Sequence, residues 1–200
     1  MTYSNFSTAD DVSRRLGIEM RLTPGRFASV GQLAPSPWLR ETLNLGRTRA
    51  GRSNTEKARS EWLIAPILTE LEEQIPTIAV FSGRPLRSAN LSGTPDFIIA
   101  TNTGGIALTS PIFAVVEAKR DDFEYGAAQC VATLTAAREM NGTATALGGA
   151  VTNGTIWQFL ELDGASALID DQIYNALDAD LPQILGVLAF FCRRDVVTIA

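Results

Sequence analysis

The sequence predicts an α/β fold, with a mixed β-sheet flanked by helices. Segments of helical periodicity alternate with short apolar runs that are bounded by turn-forming residues. Their order along the chain is helix, three strands, helix, further strands and a final helix, which suits a sheet with helices packed on it. Two hundred residues are enough for one domain with a sizeable core.

Residues 1–52 are predicted to form an N-terminal arm with a short helix and loops. The first helix is expected to end at Gly17, a residue type that favours the left-handed conformation after a helix. Proline and glycine then interrupt the chain repeatedly, so we expect residues 22–52 to be mostly loop, with one short helix near residues 37–45. The core is expected to follow over residues 53–200, packed with the arm into one compact domain.

The first core helix is predicted to run from residue 53 to about Gln74. Ser53 and Glu56 match a capping box, in which a serine caps the helix and a glutamate follows three residues later. Pro66 lies inside this helix and removes a hydrogen bond to the carbonyl of Trp62. We therefore expect a kink or a loosened turn there.

A hairpin of two apolar strands is predicted at the centre of the chain. Residues 112–116 are apolar on both faces, as expected of a strand inside a sheet rather than at its edge. Glu117 and Lys119 follow this run and project to the same face, because residues two apart in a strand share a face. If the hairpin is centred near residues 106–107, Asp96 lies opposite Glu117 to within a couple of residues.

The remaining elements are predicted from caps and turn residues. Asn153-Gly154 is a type I′ hairpin signal between two strands. The other predictions are a first strand at 78–81, a helix capped by Asp121 or Asp122 that ends near Met140, hairpin strands at 147–152 and 155–162, a short strand at 165–169, and a last helix from Asp180 to about Cys192.

The convergence of Asp96, Glu117 and Lys119 predicts a cation site. Two carboxylates at close range repel each other, and a divalent cation between them removes that penalty. Hard carboxylate oxygens suit Mg²⁺ or Mn²⁺. The chain has no histidine and only two cysteines, which argues against a zinc site.

These residues carry a resemblance to a known superfamily. Pro95-Asp96 followed by Glu117-x-Lys119 resembles the signature of the PD-(D/E)xK nucleases, which include restriction endonucleases, Holliday-junction resolvases and RecB-like nucleases. The wider stretch over residues 56–159 is similar to uncharacterised bacterial proteins assigned to that superfamily.

The resemblance implies a fold and a chemistry. The implied fold is restriction-endonuclease-like, with an αβββαβ core. The implied cofactor is Mg²⁺ or Mn²⁺, held by Asp96, Glu117 and the backbone carbonyl of Ala118. Lys119 would lie beside the attacking water and counter negative charge on the phosphate.

The resemblance also points to two further site residues. Glu61 corresponds to an acidic residue that many relatives carry on the first core helix beside the metal; the alternative is a partly exposed glutamate paired with Lys57, four residues earlier. Gln129 corresponds to a glutamine that contributes to the site in RecB-like relatives. Those relatives have tyrosine four residues later, where this chain has Thr133, and the alternative for Gln129 is a solvated polar residue on a helix.

The charge distribution permits a DNA partner on one side of the molecule. The net charge is −5, which argues against strong nonspecific attraction to nucleic acid. Residues 40–59, however, hold six basic residues against two acidic ones. Arg47, Arg49 and Arg52 are the candidates for phosphate contacts, with a solvated basic loop as the alternative.

Two classes of function follow from the sequence. One is a metal-dependent nuclease that cleaves DNA; the other is a noncatalytic nucleic-acid-binding or structural subunit with the same fold, and a homo-oligomer or a partner subunit is compatible with either. A carboxylate-pair glycosidase is disfavoured, because a lysine lies in the same cluster. The longest apolar run, residues 184–192, is too short to span a bilayer, so we expect a cytoplasmic protein without membrane contact.

Overall fold

The computed structural model describes residues 1–119, 121–142 and 145–193. The helices are α1 (Ala9–Leu16), α2 (Pro37–Ser53), α3 (Glu56–Arg59), α4 (Ala65–Gln74), α5 (Phe123–Asn141) and α6 (Leu181–Cys192), with a 3₁₀ turn at Tyr3–Asn5 and a π-helical turn at Ser60–Ile64. The strands are β1 (Glu19–Thr23), β2 (Ile78–Ser82), β3 (Leu86–Arg87), β4 (Ser92–Gly93), β5 (Phe97–Thr101), β6 (Ile112–Ala118), β7 (Leu147–Thr152), β8 (Ile156–Asp163) and β9 (Ser166–Asn175).

Seven strands form one mixed sheet in the order β1-β9-β8-β7-β6-β5-β2, and β3 pairs with β4 in a separate ribbon. Strand β6 pairs with β7 in parallel and with β5 antiparallel, so it lies inside the sheet as predicted. Helices α2, α4 and α6 pack on one face, and α1 and α5 on the other. The predicted mixed sheet flanked by helices is confirmed.

The N-terminal region differs from the prediction. Residues 37–53 form the continuous helix α2, which Ser36 caps by accepting from the amide of Leu39 at 3.2 Å. Gly46 lies inside α2 although glycine disfavours helices. A Cβ atom there would lie 2.2 Å from the carbonyl oxygen of Trp62, so the close packing at this point requires glycine. Strand β1 was not predicted at all; it pairs in parallel with β9 at the edge of the main sheet.

The first core helix begins and continues differently from the capping-box prediction. The cap is Thr55, which accepts from the amide of Ala58 at 3.1 Å, whereas Ser53 is the last residue of α2. The expected disturbance near Pro66 is present: the amide of Ala65 bonds to the carbonyl of Ser60, five residues back. This π-helical turn separates α3 from α4.

The second half of the chain largely follows the prediction. Helix α5 is capped by Asp122 and ends at Asn141, with Gly142 in the left-handed conformation directly after it, and α6 ends at Cys192. The β7–β8 hairpin is present, but its turn is not type I′, because Gly154 has a positive φ and Asn153 does not. Strand β9 is ten residues long, twice the predicted length. The last seven residues of the predicted core, 194–200, lie outside the described residues.

No helix within the described ranges is long and apolar enough to cross a membrane.

Candidate functional site

The β5–β6 hairpin brings Asp96 and Glu117 together. Phe97 pairs with Val116, so the next pair outward is Asp96 and Glu117. A carboxylate oxygen of Asp96 accepts the amide of Ala118 at 2.7 Å, which fixes the aspartate against the end of β6. The predicted juxtaposition is therefore confirmed, and the register places the hairpin centre where the sequence indicated.

Glu117 is buried on the α5 side of the sheet. The Thr133 hydroxyl lies 3.2 Å from its Oε1 atom, and that hydroxyl can also donate to the carbonyl of Gln129 at 3.0 Å. The Lys119 ammonium lies 3.9 Å from its Oε2 atom. Burial, and then the neighbouring Asp96 carboxylate, raise the pKa of Glu117 to about 8. Without a closer positive charge, Glu117 therefore holds a proton at neutral pH.

Lys119 contacts two of the three predicted metal ligands. Its ammonium donates to the carbonyl of Ala118 at 3.2 Å and approaches Glu117 as described. It also lies 5.8 Å from the ring centroid of Tyr125, within range of a cation–π interaction. The ammonium is thus a cation already positioned at the carboxylate pair.

A glycine on α5 makes room for the Lys119 stem. A Cβ atom at Gly126 would lie 2.8 Å from Cγ of Lys119 and 2.5 Å from Cγ1 of Val151. Contacts this short require one of the two side chains to move. The path of Lys119 toward Glu117 therefore depends on the absence of a side chain at position 126.

Gln129 lies in the second turn of α5 and faces the site without touching the carboxylates. Its amide nitrogen donates to the hydroxyl of Tyr125 at 2.8 Å. A cavity of about 360 Å³ is lined by Gln129 together with Asp96, Glu117 and Lys119. The structure therefore places Gln129 at the wall of the site, with its amide held by Tyr125.

Glu61 does not join the carboxylate pair. Its side chain is 55% exposed and lies 3.8 Å from the Lys57 ammonium, so the contact present is the alternative ion pair. Glu61 does line a second cavity, of about 460 Å³, that also contains Asp96 and Ala118. Glu117 lines the 360 Å³ cavity instead, so Glu61 shares a cavity with Asp96 and Ala118 but not with Glu117.

The donor atoms that converge suit a hard divalent cation. Asp96 and Glu117 offer carboxylate oxygens and Ala118 offers a carbonyl, the oxygen ligands that Mg²⁺ and Mn²⁺ prefer. In the part of the chain that the structure describes, no three aspartate, glutamate, histidine or cysteine side chains gather into a metal cluster. The candidate site is therefore one of two carboxylates and one carbonyl, with an ammonium against them.

Sequence reasoning assigned no role at this site to three residues, and it noted one of them, Thr133, only as a departure from the tyrosine of the relatives. Thr133 and Tyr125 lie four residues on either side of Gln129, so helical spacing alone places them near it. No sequence pattern relates Tyr3, in the N-terminal 3₁₀ turn, to the site. Its hydroxyl donates to the carbonyl of Leu86 at 2.7 Å, and the residue lines the 360 Å³ cavity that contains Glu117. Burial, and then Glu117, raise the pKa of Tyr3.

The three candidate arginines all lie on α2, which is a helix rather than the expected loop. Arg49 places its guanidinium over the ring of Trp62, 4.7 Å from the centroid. Arg52 follows three residues later on the same face. Arg47 points elsewhere and lines another cavity, of about 530 Å³, with Arg59 and other residues that do not include the carboxylates. The three arginines therefore do not form one patch.

No protein-family model matches this chain, and no curated protein is significantly similar to it. The residues and their geometry therefore carry the functional argument.

Proposed function

We propose that this protein is a metal-dependent nuclease that hydrolyses phosphodiester bonds in DNA. The observation that carries the proposal is the juxtaposition of Asp96, Glu117 and the Ala118 carbonyl with the Lys119 ammonium. The helix and strand order α4, β2, β5, β6, α5, β7 is compatible with the αβββαβ core of a restriction-endonuclease-like fold, which forms part of the same proposal.

The residues divide the chemistry between them. Asp96, Glu117 and the Ala118 carbonyl would hold Mg²⁺ or Mn²⁺. That ion would polarise the scissile phosphate and lower the pKa of the attacking water. Glu117 must lose its proton to serve as a ligand. Lys119 then presents its ammonium to the negative charge that develops on the phosphate, which stabilises the transition state.

The remaining polar groups orient the charged ones. Thr133 holds one oxygen of Glu117, and the amide of Ala118 holds one oxygen of Asp96. Gln129, which Tyr125 anchors, offers its amide to the cavity in which the phosphate would lie. These groups keep the carboxylates in place when the proton of Glu117 leaves.

A noncatalytic nucleic-acid-binding protein of the same fold is the second candidate. It is favoured by the lack of a third acidic ligand among the described residues, since Glu61 is paired with Lys57. In that case Glu117 would stay protonated beside the Lys119 ammonium.

Titration calorimetry with Mn²⁺ and Mg²⁺, run beside cleavage of plasmid and single-stranded DNA, tests the proposal. The variants Asp96→Asn and Glu117→Gln keep the shape of each side chain and remove its charge. Asp163→Asn, an exposed residue at the end of β8, is the matched control.

We expect metal binding and cleavage in the wild-type protein and the control, and neither in the two site variants. Metal binding without cleavage of either DNA would favour the noncatalytic candidate. Absence of metal binding in the wild type, even with DNA present, would overturn the metal site itself.

A further inference from the structure

One face of α2 exposes large apolar and basic side chains together. Trp38 and Leu45 are each 50% exposed, although most large apolar residues of the chain are buried. Arg49 and Arg52 continue the same face, because spacings of seven, four and three residues return to one side of a helix. With Trp62, which Arg49 covers, these residues are called the α2 face.

The Arg49–Trp62 stack lies open to solvent. Trp62 is 37% exposed and Arg49 is also exposed, with the guanidinium 4.7 Å from the ring centroid. Within the described ranges no carboxylate lies within salt-bridge distance of Arg49 or Arg52. The guanidinium of Arg49 lies over the indole, and its N–H donors are available to a ligand.

The chemistry of the α2 face fits unstacked bases linked by phosphates. Indole and guanidinium planes stack on bases, and arginine donors bind phosphate oxygens. A DNA duplex buries its base faces, so it can offer this surface only phosphates and leaves the tryptophans without a partner. An acidic protein would neutralise the arginines but requires no exposed aromatic rings.

The α2 face also adjoins the candidate active site. Trp62 directly follows Glu61, with Cα atoms about 3.8 Å apart. Glu61 and Lys57 line the 460 Å³ cavity that contains Asp96 and Ala118. A strand stacked on the Arg49–Trp62 pair can therefore continue along this cavity to Asp96, the carboxylate of the pair that lines it.

We propose that the α2 face is a stacking site for single-stranded nucleic acid and that single strands are the substrate class of this protein. The proposal rests on the proposed function, since it names the substrate of the same site. It assigns Trp62 and Arg49 as the central contacts.

The three tryptophans of the chain allow a direct binding test. Trp157 is fully buried, so bound bases cannot quench it by stacking. In a Trp38→Phe background, quenching by a ligand therefore reports Trp62. The measurement uses oligothymidylate of about 12 nucleotides, a duplex of the same length and an oligoglutamate of equal charge, all in EDTA so that binding is separated from cleavage.

We expect oligothymidylate to quench Trp62 and to bind roughly 5- to 150-fold more tightly than the duplex, the range that one stacked base provides. Trp62→Ala and Arg49→Lys should each weaken this binding by about 5-fold or more, because lysine keeps the charge and loses the planar stack. Leu22→Ala, which removes an exposed side chain on β1, is the control and should bind as the wild type does.

Equal binding of the duplex, equal competition by oligoglutamate, or wild-type affinity in both Trp62→Ala and Arg49→Lys would each overturn the inference. These outcomes are separate from failure of the proposed function. Loss of the α2 face leaves metal binding at Asp96 and Glu117 intact, whereas a chain that binds single strands and no metal would contradict the nuclease proposal alone.

Discussion

Two buried carboxylates on the same sheet have opposite surroundings. Asp170, on β9, is fully buried and accepts four hydrogen bonds: from the amides of Arg26, Phe27 and Gln172, and from the hydroxyl of Tyr174. Glu117, on β6, has one hydroxyl shared with a carbonyl, an ammonium at 3.9 Å and a second carboxylate as neighbour. Both carboxylates are buried, but in the described part of the chain only that of Asp170 has hydrogen-bond donors on both of its oxygen atoms.

The difference separates a structural acid from a candidate catalytic one. A buried carboxylate with several N–H and O–H donors stabilises the segment that supplies them, here the chain around Arg26. A buried carboxylate beside another acid and short of donors favours a proton or a metal ion. The burial of an acid therefore indicates little until its donors are counted.

The largest expected difference between the two acids is in catalysis. If the proposed function is correct, Glu117→Gln should lower the rate of metal-dependent DNA cleavage by about 10³-fold. The substitution removes a ligand of the metal ion whose charge stabilises the transition state. Asp170→Asn should leave the rate per folded molecule within a few-fold of the wild type. Single-turnover cleavage assays at a temperature where both variants are folded measure this; equal losses in the two variants would contradict it.

Stability should show the reverse order. Asp170→Asn places amide hydrogens against donors that need an acceptor, and we expect it to lower the free energy of unfolding by about 3 kcal/mol. Glu117→Gln removes the cost of protonating Glu117 when the chain folds at pH 7, so it should leave the free energy of unfolding unchanged or raise it, by up to about 3 kcal/mol. Urea denaturation in EDTA compares them, and a larger loss in Glu117→Gln would refute the assignment of roles.

The pH dependence of folding sharpens the comparison further. Because the pKa of Glu117 rises from its ordinary 4.5 to about 8 on folding, the metal-free folded state holds a proton that the unfolded state has lost. Its stabilising contribution is complete below pH 4.5 and is lost as the pH rises toward 8, with a slope of up to about 1.4 kcal/mol per pH unit. The difference between wild-type and Glu117→Gln denaturation curves over this range should show that slope; a flat difference would be evidence against it.

The smallest expected effect concerns the one hydroxyl donor of Glu117. Thr133→Val removes that donor with little change of volume, and we expect about 10-fold weaker Mn²⁺ binding, as for other groups that orient metal ligands. Thr133→Ser keeps the hydroxyl and should restore the affinity. Calorimetric titration of both variants is the measurement, and equal affinities would remove Thr133 from the site.

Local patterns predicted the centre of the fold well. The register of β5 against β6 depends on two apolar runs and a turn-rich segment between them, all within about 25 residues of sequence. The cap of α5 is likewise a local hydrogen bond, from the amide of Tyr125 to Asp122. Asp96, Glu117 and Lys119 came together in the structure because they lie on this local hairpin.

Nonlocal contacts and a change of helical register account for what the sequence missed. Strand β1 is short and pairs with β9, nearly 150 residues away, and no local pattern indicates such a partner. The resemblance placed Glu61 beside the metal, on a core helix that was expected to run from residue 53 to about Gln74. The π-helical turn inserts one extra residue, which rotates Glu61 by about 100° relative to α4.

A methyl group added at Gly126 would have two opposing effects on the stability of the fold. Alanine would favour the helix by about 1 kcal/mol, yet its methyl group would collide with the stems of Lys119 and Val151. Folding alone therefore acts on this position in both directions, because helix propensity favours alanine while the packing of Val151 and Lys119 favours glycine. Alanine at position 126 should therefore become acceptable only in chains whose residues at positions 119 and 151 are both smaller.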